Sequence, residues 1–246
     1  MCRWLAYSGS PVRLDDLLYR PTNSLVMQSK HSRLGAETTN GDGFGVGWYG
    51  AGPTPGVFRS TEPAWHDRNL RELAAQASAG RVFAHIRATT GTAVQQTNCH
   101  PFRHGRWLWM HNGLLTGFLT MKRDLAMAVD PNLYPEIEGS TDSELFFYLA
   151  LTFGLEQDPR TAVAEAVGFI EDIATLRAQY PDHPMLQGLS DDTRLVVSEP
   201  LGDLRGAWQE VPDATCVVVH GGEVELNPFV PAVPSVAGRQ DRVSTA

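Results

Sequence analysis

The chain has 246 residues, 42% hydrophobic and 20% charged, which suits one globular domain with a substantial buried core. A formal net charge of -8 and the absence of any Lys/Arg cluster exclude a nucleic-acid partner, which requires a basic footprint. No stretch approaches the roughly 20 apolar residues of a membrane-spanning helix, and the first residues lack the apolar core of a secretory signal, so the sequence predicts a cytoplasmic protein with no membrane contact.

In chain order, Met-Cys comes first. Methionine is removed where a small residue follows, which would leave Cys2 with a thiol and a free α-amine on one residue. An α-amine with pKa near 7.7 to 8.0 is partly neutral at cytoplasmic pH and takes up a proton without a neighbouring histidine. Cys2 would then be nucleophile and base together. A cysteine that merely comes second on a buried first strand, residues 2–7, is the plainer account of this residue taken alone. Cys2, Cys99 and Cys216 are an odd number at spacings of no disulfide framework, as expected where thiols stay reduced.

The run NGDGFGVGW at residues 40–48 feeds clustered glycines into a strand at residues 44–49. Glycine there permits positive φ and close backbone approach, for a hairpin or for a ligand. Its spacing is not that of a phosphate-binding loop. Residues 67–79 have apolar or small residues at helical spacing, and residues 81–86 read as a strand. That strand ends in AHIRATTG, which puts Arg87 where its two-pronged donor set could meet a ligand carboxylate, or a surface acid. NCHPF at residues 98–102 precedes a strand at 106–111 that ends in His111-Asn112-Gly113. A side-chain amide beside a glycine N–H offers two donors for one oxyanion, and a plain Asn-Gly turn uses the same residues.

Helical patterns cluster in residues 116–180, the strongest opening at Thr141. Its Thr-Asp-Ser-Glu start resembles a capping box, with Leu145, Phe146, Leu149 and Phe153 as an apolar stripe. A carboxylate at Asp142 would suit a cationic ligand group, although helix capping alone also explains it. Further strands are expected at residues 194–198 and 215–220, and the Pro-, Ser- and Ala-rich residues 231–246 read as a frayed tail behind a single domain over residues 1–230. Strands flanking a helical middle predict α+β architecture with antiparallel sheets, not alternating βαβ units.

Taken together and in this order, Met-Cys, NGDGFGVGW, AHIRATTG, NCHPF, MHNG and STDSE resemble the class II glutamine amidotransferases, N-terminal nucleophile hydrolases. The likeness covers most of residues 2–153 and is greatest to stand-alone members such as the YafJ-like proteins and the ergothioneine-pathway γ-glutamyl hydrolase EgtC. It implies a four-layer αββα sandwich of two antiparallel sheets. It implies Cys2 as nucleophile, Asn112 and Gly113 as oxyanion hole, Arg87 on the substrate α-carboxylate and Asp142 on its α-ammonium, with Thr90 and His100 lining the glutamine pocket. The substrate would be glutamine or another γ-glutamyl compound, with no metal and no cofactor. Position 88 is Ala, where relatives fused to a synthase often carry an aromatic residue. The sequence has no room for such a synthase domain, so any ammonia acceptor would be a separate chain. Relatives also carry a further strand pair where this chain runs directly from Glu171 to Asp172, so part of the second sheet is expected to be missing there.

Three other readings compete. A metal enzyme could use His85, Cys99, His100, His104 and His111, but no CxxC or HxxxH spacing supports it. An acyl amidase of the same nucleophile class would want an apolar pocket, in which Arg87 and Asp142 are out of place. An amidotransferase-like module that binds without turnover would keep Met1.

Overall fold

A computed structural model describes residues 2–31, 39–89, 91–171, 194–197, 210–220 and 223–232. Thr90, the join from Glu171 to Asp172 and the tail from residue 233 lie outside the described residues. Of the described residues, a first compact unit holds those up to Asn112 with 194–197, and a second holds 113–171, with the hairpin at 215–228 shared between them.

The first unit is built on β1 (Arg3–Arg13), α1 (Leu14–Leu18), α2 (Leu25–Lys30), β2 (Phe44–Trp48), β3 (Gly56–Ser60), α3 (Arg68–Gln76), β4 (Ser78–Ile86) and β7 (Arg194–Val197). The strands form an antiparallel sheet in the order β3-β2-β4-β1-β7. Side chains alternate between faces, and cross-strand partners share one. Leu5 and Val46 both pair with Ala84, and this face carries Leu5, Tyr7, Phe44, Val46, Val82, Ala84 and Ile86 into one core with Leu14, Leu18, Leu25 and Leu70 of the helices. Each such leucine contributes about 1.5 to 3 kcal/mol by leaving water. That core fixes the register at the end of β4, since a one-residue slip would put Ala84 and Ile86 on the wrong side.

Trp4, Gly45 and His85 share the opposite face. There the hairpin of β5 (Phe102–His104) and β6 (Trp107–Trp109) and the turn before it come down on two bare glycines. A Cβ at Gly45 would collide with the His100 carbonyl, and one at Gly47 would lie 2.8 Å from both Leu108 and Pro101. The glycine run is therefore a packing groove for the chain itself. The hairpin alternative for it does not hold, because Asn-Gly-Asp-Gly leads into β2, and the β2–β3 turn lies further on, between Trp48 and Gly56.

The expected helix over residues 67–79 stops at Gln76. Asp67 caps it, its Oδ1 accepting from Leu70 N at 2.8 Å, but Ala77 is extended. Ser78 and Ala79 pair with Arg13 and Val12, so ladder bonds and burial of Ala79 outweigh helix propensity there.

In the second unit, α4 (Phe118–Ala128), α5 (Asp142–Thr152) and α6 (Pro159–Glu171) pack together. The helix expected from Thr141 is present, but it is buried all round from Asp142 to Leu151. Phe229 N bonds Ala214 O at 2.7 Å, and Ala232 N bonds Ala164 O at 3.1 Å. This leaves no space for a Cβ at Gly168. Among the described residues no helix is long and apolar enough to cross a membrane.

Candidate active site

The β1–β4 ladder ends at Arg3 and Ile86. One step further, where backbone pairing stops, the Cys2 side chain takes its place: Ala88 N donates to Cys2 Sγ at 3.3 Å, and Sγ–H donates to Ala88 O at 3.4 Å. Burial pushes the Cys2 thiol above its ordinary pKa, opposed by the Ala88 N–H and the charge of Arg87. The resting group is a thiol, so a base must take its proton before it attacks a carbonyl.

Arg87 is only 3% exposed. Its Nη1 donates to Asp42 O at 3.3 Å, and its Nη2 donates to Thr92 Oγ1 at 2.6 Å and to Thr89 Oγ1 at 3.2 Å. Every one of these acceptors is uncharged. Among the described residues no carboxylate oxygen lies within ion-pairing reach of the guanidinium, so the surface-acid alternative finds no partner among them. A buried guanidinium with no counter-charge among the described residues is costly, and an anionic ligand would offset that cost.

The strand end that carries Arg87 is fixed from the β2 side as well. Arg87 N donates to Gly43 O at 2.8 Å and Asp42 N donates to Arg87 O at 3.2 Å. Thr89 N then donates to the Asp42 carboxylate at 2.7 Å. Sequence reasoning passed over both Asp42 and Thr92. Asp42 was legible only as part of a glycine-rich turn, and nothing in the sequence points to Thr92.

His100, expected in the substrate pocket, is buried. Its ring packs at a tilt against His85, 4.2 Å between centroids, and against Phe102 at 4.5 Å. Among the described residues no hydrogen bond of good geometry reaches any of the four ring nitrogens of His85 and His100, although the His111 main chain lies near His85. Burial holds His85 neutral, its pKa lowered to about 3, and drives His100 well below its ordinary value. The metal alternative finds no support, since no group of three His, Cys, Asp or Glu among the described residues could hold an ion.

Asn112 is half-buried and Gly113 exposed just beyond β6. Asp142 is 9% exposed at the start of α5. Its Oδ2 accepts from Leu115 N at 2.8 Å, and its Oδ1 from Ser143 N at 2.7 Å and Ser143 Oγ at 3.1 Å. The cap of α5 belongs to Thr141 instead, whose Oγ1 accepts from Glu144 N. The reciprocal half of the capping box is absent: the Glu144 carboxylate accepts from Glu138 N and Gly139 N. Thr141 is thus the N-cap, and Asp142 in the first turn also takes up a helix-start donor, Ser143 N, so stabilisation of the helix start accounts for part of the bonding of its carboxylate.

Comparison with known proteins gives this geometry a family. The probable glutamine amidotransferase DUG3 of Saccharomyces cerevisiae is 41% identical over 160 residues, 61% of this chain and 45% of the yeast protein, so the chain spans under half the length of that relative. The gamma-glutamyl-hercynylcysteine sulfoxide hydrolase of Mycolicibacterium smegmatis is 28% identical over 249 residues, 93% of this chain and 100% of the relative. Among solved structures, a glutamine aminotransferase class-II domain protein from Silicibacter pomeroyi superposes with a TM-score of 0.54 at 34% identity, covering 80% of this chain and 72% of that one. The family model for class-II glutamine amidotransferases matches residues 20–187, more than half of the sequence, and the chain belongs to that family.

Proposed function

We propose that the protein is a γ-glutamyl amide hydrolase working through Cys2, with glutamine or a γ-glutamyl conjugate as substrate and the four-layer sandwich of its family as fold. The observation that carries this reading is the juxtaposition on one strand end of the buried Arg87 guanidinium, which has no carboxylate partner among the described residues, and the residue whose main chain cradles the Cys2 sulfur. The α-carboxylate of the substrate supplies the missing negative charge. Asp142 is the partner of its α-ammonium, and Thr90 and His100 shape the pocket.

In the reaction, the free α-amine of Cys2 takes the Sγ proton and the thiolate attacks the γ-carbonyl carbon, forming the S–C bond. The carbonyl electrons move onto oxygen, where the Asn112 side-chain amide and the Gly113 N–H stabilise them. The oxyanion collapses, the C–N bond breaks, and ammonia or amine leaves with the proton held by the α-amine. Water then cleaves the glutamyl thioester, releasing glutamate and restoring the thiol.

A second reading of the leaving group, a conjugate thiol-derived amine instead of ammonia, is favoured by the hydrolase relative that matches nearly end to end. An ammonia-accepting synthase on a separate chain belongs only to the first. The deciding experiment is intact mass after incubation with 6-diazo-5-oxo-L-norleucine, with peptide mapping. Stoichiometric labelling of a Met-free Cys2 supports the glutamyl pocket; a folded, Met-free protein that takes no label overturns it.

A further inference from the structure

The mechanism above leaves Asp42 without a role, yet its carboxylate lies 2.7 Å from Thr89 N, where the β2–β4 ladder has already ended. The backbone of residues 87–89 is held from two sides, while Thr92 holds the side chains of Arg87 and Thr89. On the β1 side, the only bonds to Ala88 among the described residues come from the Cys2 sulfur, through the Ala88 N–H and carbonyl. On the β2 side, the bonds come from Asp42 and Gly43: Asp42 N and Gly43 O to the Arg87 main chain, Asp42 O to the Arg87 guanidinium, and the Asp42 carboxylate to Thr89 N. Gly43 permits this turn because it sits at φ +102, which a side chain rarely adopts.

Chemistry at Cys2 removes one of these two anchors. Once the sulfur carries the glutamyl group it has no S–H to donate to Ala88 O, and its lone pairs are drawn toward the acyl carbon. The β1-side hold on the strand end weakens just when the substrate carboxylate must stay on Arg87 while water attacks. We propose that Asp42 is a positioning residue that keeps Arg87 and the Ala88 amide in place, both in the free protein and when Cys2 is acylated. The proposal rests on the glutamyl reading of Arg87.

The test compares Asp42→Ala, Asp42→Asn and Asp42→Glu with the unaltered protein. An asparagine oxygen accepts the same Thr89 N–H, alanine offers nothing, and glutamate displaces the acceptor by one methylene. The glutamine KM of Asp42→Ala should rise at least about 10-fold, as expected when a hydrogen bond to a charged group is lost, with a smaller fall in kcat. Asp42→Asn should stay within about 3-fold of the unaltered protein for the same reason. Amide exchange over residues 86–89 should accelerate at least about 10-fold in Asp42→Ala and not in Asp42→Asn, each factor of ten being one lost unit of protection. Unchanged exchange or unchanged KM in a folded Asp42→Ala overturns the proposal. Should Asp42→Ala not fold, Asp42→Glu decides, with kinetics equal to those of Asp42→Asn overturning it. Exchange is read without glutamine, so if the unaltered protein neither hydrolyses glutamine nor takes the diazo label, the glutamyl reading falls while the role of Asp42 is still decided by exchange alone.

Discussion

The Cys2 sulfur substitutes for a strand: it meets the main-chain N–H of Ala88 at 3.3 Å and the carbonyl of the same residue at 3.4 Å. Backbone groups left over where two strands part usually turn to water or to a side chain. Here they turn to the Cys2 thiol, so its position is set by the same register that builds the core.

That placement has a pH consequence. Burial raises the thiol above its ordinary value of 9.0, and only the thiolate alkylates readily. Alkylation of Cys2 by iodoacetamide in the ligand-free protein should therefore climb steadily with pH and reach no plateau below pH 9. Peptide-mapped alkylation rates across that range check it; a plateau below pH 8 would mean an activated resting thiolate, against the burial seen here.

Arg87→Lys separates charge from geometry. A lysine keeps the positive charge but offers one compact donor head and loses the fork that reaches Asp42 O, Thr89 and Thr92 together. Loss of charge-assisted hydrogen bonds of about 1.5 to 3 kcal/mol corresponds to a KM for glutamine raised roughly 10- to 150-fold. The kcat should change little, because the carboxylate contact is the same in ground and transition states. Steady-state kinetics decide, and an unchanged KM would remove Arg87 from the substrate's carboxylate.

How far the sequence revealed this site depended on the kind of signal. Cys2, Arg87 and the end of β4 could be read from motif order, and the strand at 81–86 from its apolar run, because local pattern and tertiary environment agree there. The helix over 67–79 could not be bounded, since Ser78 and Ala79 obey pairing with β1, a contact about 65 residues away in the chain that no local propensity encodes. β3, β5 and the short helices α1 and α2 were missed because each is too short for a period to show. The anchor at Asp42 was hidden for a different reason: Asp-Gly is such a common turn pair that its side chain carried no distinct signal. The helix from Thr141 was plain, and Thr141 caps it as the Thr-Asp-Ser-Glu start predicts, but that local pattern could not show that Asp142 also accepts from Leu115 N.

The glycine groove predicts a sharp contrast between two alanine substitutions. At Gly45 a Cβ collides with the His100 carbonyl and presses on the Arg59 side chain at 2.9 Å, whereas at Gly50 nothing lies within 4 Å. Overpacking of that kind costs about 1 to 3 kcal/mol or more. For a chain of this size each kcal/mol lowers Tm by roughly 2 to 4 °C. Gly45→Ala should melt several degrees below the unaltered protein, and Gly50→Ala should match it to within about 0.5 kcal/mol. Equal melting curves for the two would mean that the His100 turn does not rest on β2.

The packed rings of His85 and His100 give the last prediction, which concerns stability and not activity. In the folded protein burial holds the His85 pKa down to about 3, reinforced by the nearby charges of His111 and Arg87; in the unfolded chain it returns to 6.5. Between those values the unfolded chain binds more protons than the folded one, so stability rises with pH through this window. It is complete above 6.5 and is lost as the pH falls toward 3. At pH 5 His85 alone should remove about 2 kcal/mol relative to pH 7.5, at roughly 1.4 kcal/mol per pKa unit. His100, shifted in the same direction, steepens the loss. Urea unfolding at a series of pH values measures it, with His85→Gln as the comparison that removes one titrating ring. A stability curve flat between pH 7.5 and 5, or the same slope in both proteins, would show that His85 takes up its proton in the folded state, with some partner for its ring nitrogens that only the protonated form engages.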